Sequence, residues 1–176
     1  MNFFKKYQKA VGLVFVLLLS VVIFIFRNRF TDLEGYGYLG LFLISVLGNA
    51  TIVLPTPVVL TAFLGGGIFN PFWVTIVVSV GATLGELTGY VAGASGKYLI
   101  KENTKIEKVK KWMDKHGLWT LFVLAAIPNP FFDLAGIIAG ASKIPVYKYL
   151  IVVTLGKIIK FGTISYLGAG AFGIIS

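Results

Sequence analysis

The sequence predicts an all-α integral membrane protein: an inverted repeat of two opposed re-entrant helical hairpins plus crossing helices, with a cytoplasmic amphipathic helix. Three observations lead to this class. The chain is 57% hydrophobic over 176 residues with a mean hydropathy of +0.87, which is too apolar for a soluble domain of this size. Two apolar stretches each contain a Pro-x-Pro break, at residues 55–57 and 128–130. A lysine-rich segment separates these two halves.

The composition also excludes several classes of function. Cysteine is absent, which excludes disulfides, thiol nucleophiles and zinc–thiolate sites. The sequence has no metal-ligand cluster, phosphate loop or nucleophile and base pair, so we expect no enzyme, no cofactor and no bound metal. The net charge of +9 is concentrated in clusters. We therefore interpret it as a determinant of topology and of attraction to lipid headgroups, and we expect no nucleic-acid partner.

Residues 1–35 are predicted to form an N-terminal transmembrane helix and an external loop. Three lysines precede an apolar run at residues 11–26, which ends at Arg27-Asn28-Arg29. Because no small-x-small cleavage site follows this run, we expect a retained helix with its N-terminus in the cytoplasm.

Residues 36–69 are predicted to form the first re-entrant hairpin. Gly48-Asn49 and then Pro55 and Pro57 divide this stretch into two half-helices, at residues 36–47 and 58–69. Each is shorter than the ~20 residues that a crossing needs. Broken backbone at membrane depth is tolerated only where protein or a water-filled cavity satisfies its polar groups, so these breaks predict a polar site.

Residues 72–96 are predicted to form a crossing helix, with Pro71 in the position that suits a first turn. Four glycines recur along it at four-residue spacing, which predicts a groove where another backbone packs closely, in preference to a direct ligand contact. These glycines are Gly81, Gly85, Gly89 and Gly93.

The segment that follows is predicted to be cytoplasmic, because seven lysines outweigh three acidic residues between positions 97 and 115. Apolar residues recur in it at helical spacing, with Trp112 beside them: Leu99, Ile106, Val109 and Met113. This pattern predicts an amphipathic surface helix at residues 98–115 that lies among the headgroups. A solvated, charged connector is an equally good interpretation of the same periodicity. His116 is expected to be an interface residue without a catalytic role.

Residues 118–142 are predicted to form the second re-entrant hairpin, broken at Pro128 and Pro130. The chain returns at Lys143 and Lys148, which are also expected on the cytoplasmic side, so this hairpin enters the membrane opposite the first. The last crossing is predicted at residues 147–170. In such inverted repeats, broken helices meet near the midplane and form the substrate site.

Four ionisable residues are expected inside the membrane: Glu86, Asp133, Lys157 and Lys160. Such residues are costly in lipid and are functional candidates by default. One interpretation is that Glu86 pairs with one lysine and Asp133 with the other, which only holds the halves together. The other is that they line a groove that binds a phosphate or exchanges protons. Asn49 and Asn129 either satisfy freed backbone or contact the substrate.

Two stretches resemble the DedA/VTT superfamily of membrane proteins: residues 85–93, which read Gly-Glu-Leu-Thr-Gly-Tyr-Val-Ala-Gly, and residues 128–136, which read Pro-Asn-Pro-Phe-Phe-Asp-Leu-Ala-Gly. The resemblance covers residues 36–170. It implies two opposed re-entrant hairpins and lipid movement between leaflets. Bacterial members are linked to undecaprenyl-phosphate recycling, envelope homeostasis and proton motive force, and eukaryotic relatives are phospholipid scramblases.

The chain departs from the bacterial DedA pattern at both hairpins. Bacterial members carry arginines around the second-hairpin proline and an acidic residue in the first hairpin. Here residues 125–130 read Ala-Ala-Ile-Pro-Asn-Pro, and residues 48–51 read Gly-Asn-Ala-Thr. Of the family's charged residues only Glu86 is matched, which implies a divergent, scramblase-like subfamily that lacks the DedA arginines.

The sequence therefore predicts a membrane lipid transporter or scramblase, which moves headgroups through a polar groove between the hairpins. The alternatives are a proton-coupled secondary transporter of a small anion and a scaffold whose charge pairs are structural. The expected partners are membrane phospholipids or polyprenyl phosphate, with protons in the coupled alternative, and homo-oligomerisation is left open. The expected location is the cell membrane, with the N-terminus and residues 97–115 in the cytoplasm.

Overall fold

The computed structural model describes residues 34–50, 58–95, 104–128 and 132–175, which form helices and contain no strand. The helices are α1 (Glu34–Ala50), α2 (Val58–Ile68), α3 (Pro71–Ala94), α4 (Thr104–His116), α5 (Leu118–Ala126), α6 (Phe132–Ala141) and α7 (Val146–Ile175). The predicted N-terminal transmembrane helix lies outside the described residues. So do Pro55, Pro57, Asn129 and Pro130.

The prediction of an all-helical membrane protein is confirmed at this level. Within the described residues two stretches are long and apolar enough to cross a bilayer, Pro71–Ala94 with 24 residues and Val146–Gly173 with 28, against the ~20 that a crossing needs. The helix predicted at residues 98–115 is observed as Thr104–His116, and α7 extends beyond both ends of the predicted 147–170.

The start of α3 shows how local sequence sets a helix boundary. Asn70 is the N-cap, and its Oδ1 accepts a hydrogen bond of 3.0 Å from the backbone N–H of Phe72. Pro71 occupies the first helical position, where a missing N–H costs nothing. The long helix therefore begins where the proline predicts it.

The expected break at Gly48-Asn49 is wrong, because α1 continues through both residues to Ala50. The Asn49 side chain donates from Nδ2 to the carbonyl of Ser45 at 2.9 Å, and Ser45 in turn donates from Oγ to the carbonyl of Leu41 at 2.7 Å. Both side chains donate to the carbonyl four residues earlier in the same helix, so they do not compete for the backbone groups that would form a turn. The helix therefore continues through residues whose type favours a turn.

The second half has its interruption between α5 and α6. Helix α5 ends at Ala126, and Ile127 adopts an extended backbone with φ −107° and ψ 135°. This is the conformation that a residue before proline prefers, and Pro128 follows it. The chain is helical again from Phe132.

The two halves pack through the same pairs of elements. Helix α1 lies along α3 in the first half, and α5 lies along α7 in the second. Each short helix packs chiefly on the long helix of the other half, α2 on α7 and α6 on α3, and the two long helices also touch each other. One apolar cluster joins α1, α2, α3 and α7, and another joins α4, α5, α6 and α7. The halves are therefore interlocked around α3 and α7.

The glycine row of α3 faces two different helices. A Cβ at Gly81 or Gly85 would overlap the backbone of α1, and a Cβ at Gly93 would overlap the carbonyl of Ile137 in α6. At Gly89 the nearest neighbour is the Ile137 side chain, at an ordinary contact distance of 3.8 Å. Small residues let α3 approach both neighbours closely, as in other membrane helix interfaces.

Replacing Gly93 by alanine is expected to lower the free energy of unfolding by about 1–3 kcal/mol, the usual cost of overpacking a tight interface. A carbonyl of α6 occupies the space that the methyl group needs, and backbone cannot move aside cheaply. The matched control is Gly170→Ala in α7, where no atom of the described residues lies within 4 Å of the added Cβ. Thermal unfolding in detergent compares the two, and equal stability of both variants would contradict the close approach of α6.

Candidate functional site

A buried ion pair joins the two halves of the protein. Glu86 of α3 and Lys157 of α7 approach to 2.7 Å between Oε1 and Nζ, with side-chain exposures of 8% and 0%. Removing two charges from water costs several kcal/mol per ion, and only close pairing offsets that cost. The pair therefore makes α3 and α7 mutually dependent at this point.

A glycine precedes each member of the pair. A Cβ at Gly85 would overlap the carbonyl of Val46 in α1, and one at Gly156 would lie 2.6 Å from the carbonyl of Phe122 in α5. The first helix of each half therefore closes over its long helix beside the charged residue. The Gly-Glu and Gly-Lys dipeptides are the local sequence feature that allows this burial.

A small cavity of about 20 Å³ lies next to the ion pair, between α1, α3, α6 and α7. Its size suits about one water molecule. Polar and apolar side chains from all four helices line it, together with two glycines: Asn49, Glu86, Thr88, Gly89, Phe132, Asp133, Gly136 and Tyr149. The cavity thus brings together residues that are widely separated in sequence.

Two buried polar atoms at this site have no hydrogen-bond partner among the described residues, the second carboxylate oxygen of Glu86, Oε2, and the hydroxyl of Tyr149. Gly136 leaves room for that hydroxyl, since a Cβ there would lie 3.0 Å from it. Buried polar groups in native proteins are almost always hydrogen-bonded. A donor and an acceptor are therefore present at this site for a polar ligand.

The interpretation in which each acidic residue pairs with one lysine holds for Glu86 only, since no contact within 4 Å joins the charged groups of Asp133 and Lys160 in the described structure. Lys160 Nζ lies 4.8 Å from the ring centroid of Phe161 and 6.0 Å from that of Phe132, which are cation–π distances. Asp133 is exposed in the first turn of α6, where the helix dipole favours a negative charge. Each charge has a stabilising environment other than the opposite charge.

The structure thus places some predicted site residues at the cavity and others outside it. Asn49, Glu86 and Asp133 line the cavity, Lys157 pairs with Glu86, and Lys160 lies one helical turn farther along α7. Asn129 belongs to the residues that the structure does not describe.

Four lining residues were missed by the sequence prediction, the polar Thr88 and Tyr149 together with Phe132 and Gly136. The hydroxyl of Thr88 lies 3.0 Å from the carbonyls of both Ala50 and Gly85, so it links the end of α1 to α3. Its place between Glu86 and Gly89 was an available signal. Tyr149 had none, because a tyrosine in the first turn of a crossing helix ordinarily lies at the membrane surface.

Two interlocked helical halves that share a buried ion pair and a polar cavity define a membrane protein with an internal polar site. The chain belongs to the VTT domain family, which matches residues 54–170. Several curated relatives are named as membrane proteins, and one of them is the vacuole membrane protein KMS1 of Arabidopsis thaliana, 31% identical over 129 residues. That match covers 66% of this chain but 31% of KMS1, so the chain spans about a third of that relative.

Two bacterial relatives match over more of their length. The uncharacterized membrane protein YbfM of Bacillus subtilis is 29% identical over 137 residues, which cover 70% of this chain and 83% of YbfM. An alkaline phosphatase-like protein of Lactococcus lactis is 29% identical over 157 residues, which cover 78% of this chain and 72% of that protein. No solved structure matches the chain.

Proposed function

We propose that this protein moves lipid headgroups between leaflets, as a membrane lipid transporter or scramblase, through a polar groove that its hairpins form. The observation that supports this most directly is the Glu86–Lys157 ion pair beside a polar cavity where the two halves meet. Intramembrane ionisable groups mark substrate pathways in membrane proteins. The substrate class is a phospholipid or a polyprenyl phosphate, whose tails remain in the bilayer while the headgroup passes the ion pair.

The chemistry of the lining fits a headgroup that carries a phosphate. The Tyr149 hydroxyl donates to a phosphate oxygen. Positive charge comes from Lys157, which is paired with Glu86 at the edge of the cavity. Glu86 Oε2 and Asp133 accept hydrogen bonds from an amine or hydroxyl at the other end of the headgroup. A headgroup with both kinds of group forms hydrogen bonds with the protein in place of those that it loses on leaving water. This lowers the free-energy cost of moving the headgroup through the membrane.

The proposal includes the inverted arrangement of the two hairpins. Helices α2 and α6 have 11 and 10 residues, about half of what a crossing needs. Each packs on the long helix of the opposite half. An inverted repeat with the lysine-rich helix α4 on the cytoplasmic surface of the cell membrane accounts for both features.

The proposal assigns no enzymatic activity to the chain. The name alkaline phosphatase-like protein belongs to a relative at 29% identity. Other relatives, among them KMS1 and the vacuole membrane protein 1 homolog of Dictyostelium discoideum, are named only for their membrane location.

The test uses purified protein in vesicles that contain a fluorescent phospholipid in both leaflets. A membrane-impermeant reductant added outside bleaches the outer leaflet at once and the inner leaflet only after lipid has crossed. We expect faster and more complete bleaching than in protein-free vesicles. Absence of any acceleration with choline, ethanolamine and glycerol headgroups would contradict the proposal. Solute flux driven by a pH gradient and lost in Glu86→Gln would instead identify a proton-coupled transporter of a small anion.

A further inference from the structure

A second pocket, of about 280 Å³, lies where α4 meets α5, and the residues of the polar cavity take no part in it. We call it the tryptophan pocket, and its lining is Trp112, His116, Trp119, Thr120, Val123 and Leu124. Its volume is near the lower end of the roughly 300–1,000 Å³ typical of ligand sites. It therefore suits part of an elongated ligand better than a whole compact one.

The pocket is built from well-anchored elements. Gly117 has a φ of 53°, a conformation that favours glycine, and it turns the chain from α4 into α5 within one residue. The Thr120 hydroxyl then donates to the carbonyl of Trp112 at 2.8 Å. On the inner face of α4, Val109 and Met113 are buried in the core cluster of the second half. The angle between the two helices is thus held from both sides.

The walls of the pocket are apolar and aromatic, and they face outward. Trp112 is 50% exposed and Trp119 is 70% exposed, and Val123 of α5 is also exposed. Tryptophans concentrate at the boundary between headgroups and hydrocarbon. The junction between the charged helix α4 and the apolar helix α5 is where such a boundary is expected. We therefore expect the pocket where lipid headgroups meet acyl chains.

The charge around the pocket is one-sided. At about 100° per residue, the exposed Lys115 lies roughly 60° from Trp112 around α4, and the exposed Lys111 lies on the same flank. Asp114 lies roughly 160° away from Trp112 by the same geometry. Of the described charged side chains of α4, Lys115 thus lies nearest in angle to Trp112, and Lys111 follows at roughly 100°, while Glu107 and Asp114 lie farther around the helix, at roughly 140° and 160°.

We propose that the tryptophan pocket binds one anionic phospholipid from the leaflet that α4 faces. An acyl chain lies against Trp119, Val123 and Leu124, and the headgroup phosphate lies at His116, with the exposed Lys115 next to it in the chain. The apolar walls exclude a soluble anion as the main occupant, and the flanking lysines favour a negative headgroup over a zwitterionic one. This inference requires only that the protein is embedded in a membrane, and it does not depend on lipid transport.

The test uses intrinsic fluorescence, because the chain has three tryptophans and Trp73 is the only one outside the pocket. The Trp73→Phe protein is reconstituted in phosphatidylcholine vesicles with increasing amounts of brominated phosphatidylglycerol or brominated phosphatidylcholine. We expect half-maximal quenching at about tenfold less brominated phosphatidylglycerol. Equal quenching by the two brominated lipids would overturn the proposal.

Two sets of variants in the Trp73→Phe background locate the preference. The double variant Lys111→Gln with Lys115→Gln should abolish the stronger quenching by brominated phosphatidylglycerol. The control double variant Lys143→Gln with Lys148→Gln, at two exposed lysines near the start of α7, should retain it. Val123→Phe should fill the pocket and abolish it, whereas Val91→Phe, at an exposed position of α3, should not. A preference that survives Val123→Phe, or that is lost equally in the control lysine pair, overturns the assignment.

A second copy of the chain is the competing occupant. Size-exclusion chromatography with light scattering in detergent compares the Val123→Phe and Val91→Phe proteins. Dissociation of an oligomer by Val123→Phe alone would assign the pocket to contact between copies and overturn the lipid proposal. An unchanged oligomeric state together with the lost quenching preference supports it.

Discussion

Replacing Lys157 by methionine is expected to lower the free energy of unfolding by about 3–5 kcal/mol, because it leaves the Glu86 carboxylate buried and unpaired. Lys157 is fully buried and its ammonium group lies 2.7 Å from Oε1 of Glu86. Chemical or thermal unfolding in detergent measures the loss. A loss below about 1 kcal/mol, the range of an exposed ion pair, would contradict the burial of this one.

The double variant, Glu86→Met with Lys157→Met, separates structure from function. Replacing both buried charges with apolar groups of similar volume is often neutral or stabilising, so most of the lost stability should return. Lipid movement should not return, since the ionic groups that meet the headgroup are gone. A stable double variant that moves lipid at the original rate would show that the pair only holds the halves together.

Replacing Tyr149 by phenylalanine is expected to slow lipid movement about tenfold, which corresponds to the loss of a hydrogen bond to a charged group of about 1.5 kcal/mol. The hydroxyl faces the polar cavity and has no partner in the described part of the chain. Its removal should therefore leave the free energy of unfolding unchanged or slightly higher. The vesicle assay and an unfolding curve on the same preparation test both statements.

The matched control is Tyr90→Phe. The rings of Tyr90 and Tyr149 are in contact, with centroids 4.9 Å apart and planes tilted by 35°, but the Tyr90 hydroxyl donates to the carbonyl of Ile144. Its removal should cost about 1 kcal/mol of stability without a tenfold effect on transport. If Tyr90→Phe slows lipid movement as much as Tyr149→Phe, the effect arises from the packing of the two rings and the Tyr149 hydroxyl has no direct role.

Several elements followed from local features of the sequence. Asn70-Pro71 predicts the start of α3 because proline suits a first turn, and hydropathy predicts the two long helices. The Gly48-Asn49 prediction failed because it used composition alone. Whether Asn49 turns the chain or bonds back to Ser45 depends on the next helix packed against α1, and propensity does not encode that packing.

The candidate site shows the same division. That charged residues lie within the apolar segments is visible in the sequence, and Glu86 also belongs to the stretch that resembles the family. The choice of Lys157 as its partner, the cation–π position of Lys160 and the exposure of Asp133 are not visible there. Adjacent turns of one helix present both lysines, so spacing alone does not distinguish them.

By itself the amino-acid sequence determined that this is a helical membrane protein with charged residues inside its apolar segments, because hydropathy, proline chemistry and glycine spacing are local properties. The tertiary structure alone decided that Tyr149 joins Glu86 and Asp133 around one cavity, and that α4 and α5 form a pocket with two tryptophans. Periodicity specifies which face of a helix is apolar or polar. The partner of that face depends on how helices from distant parts of the chain fit together.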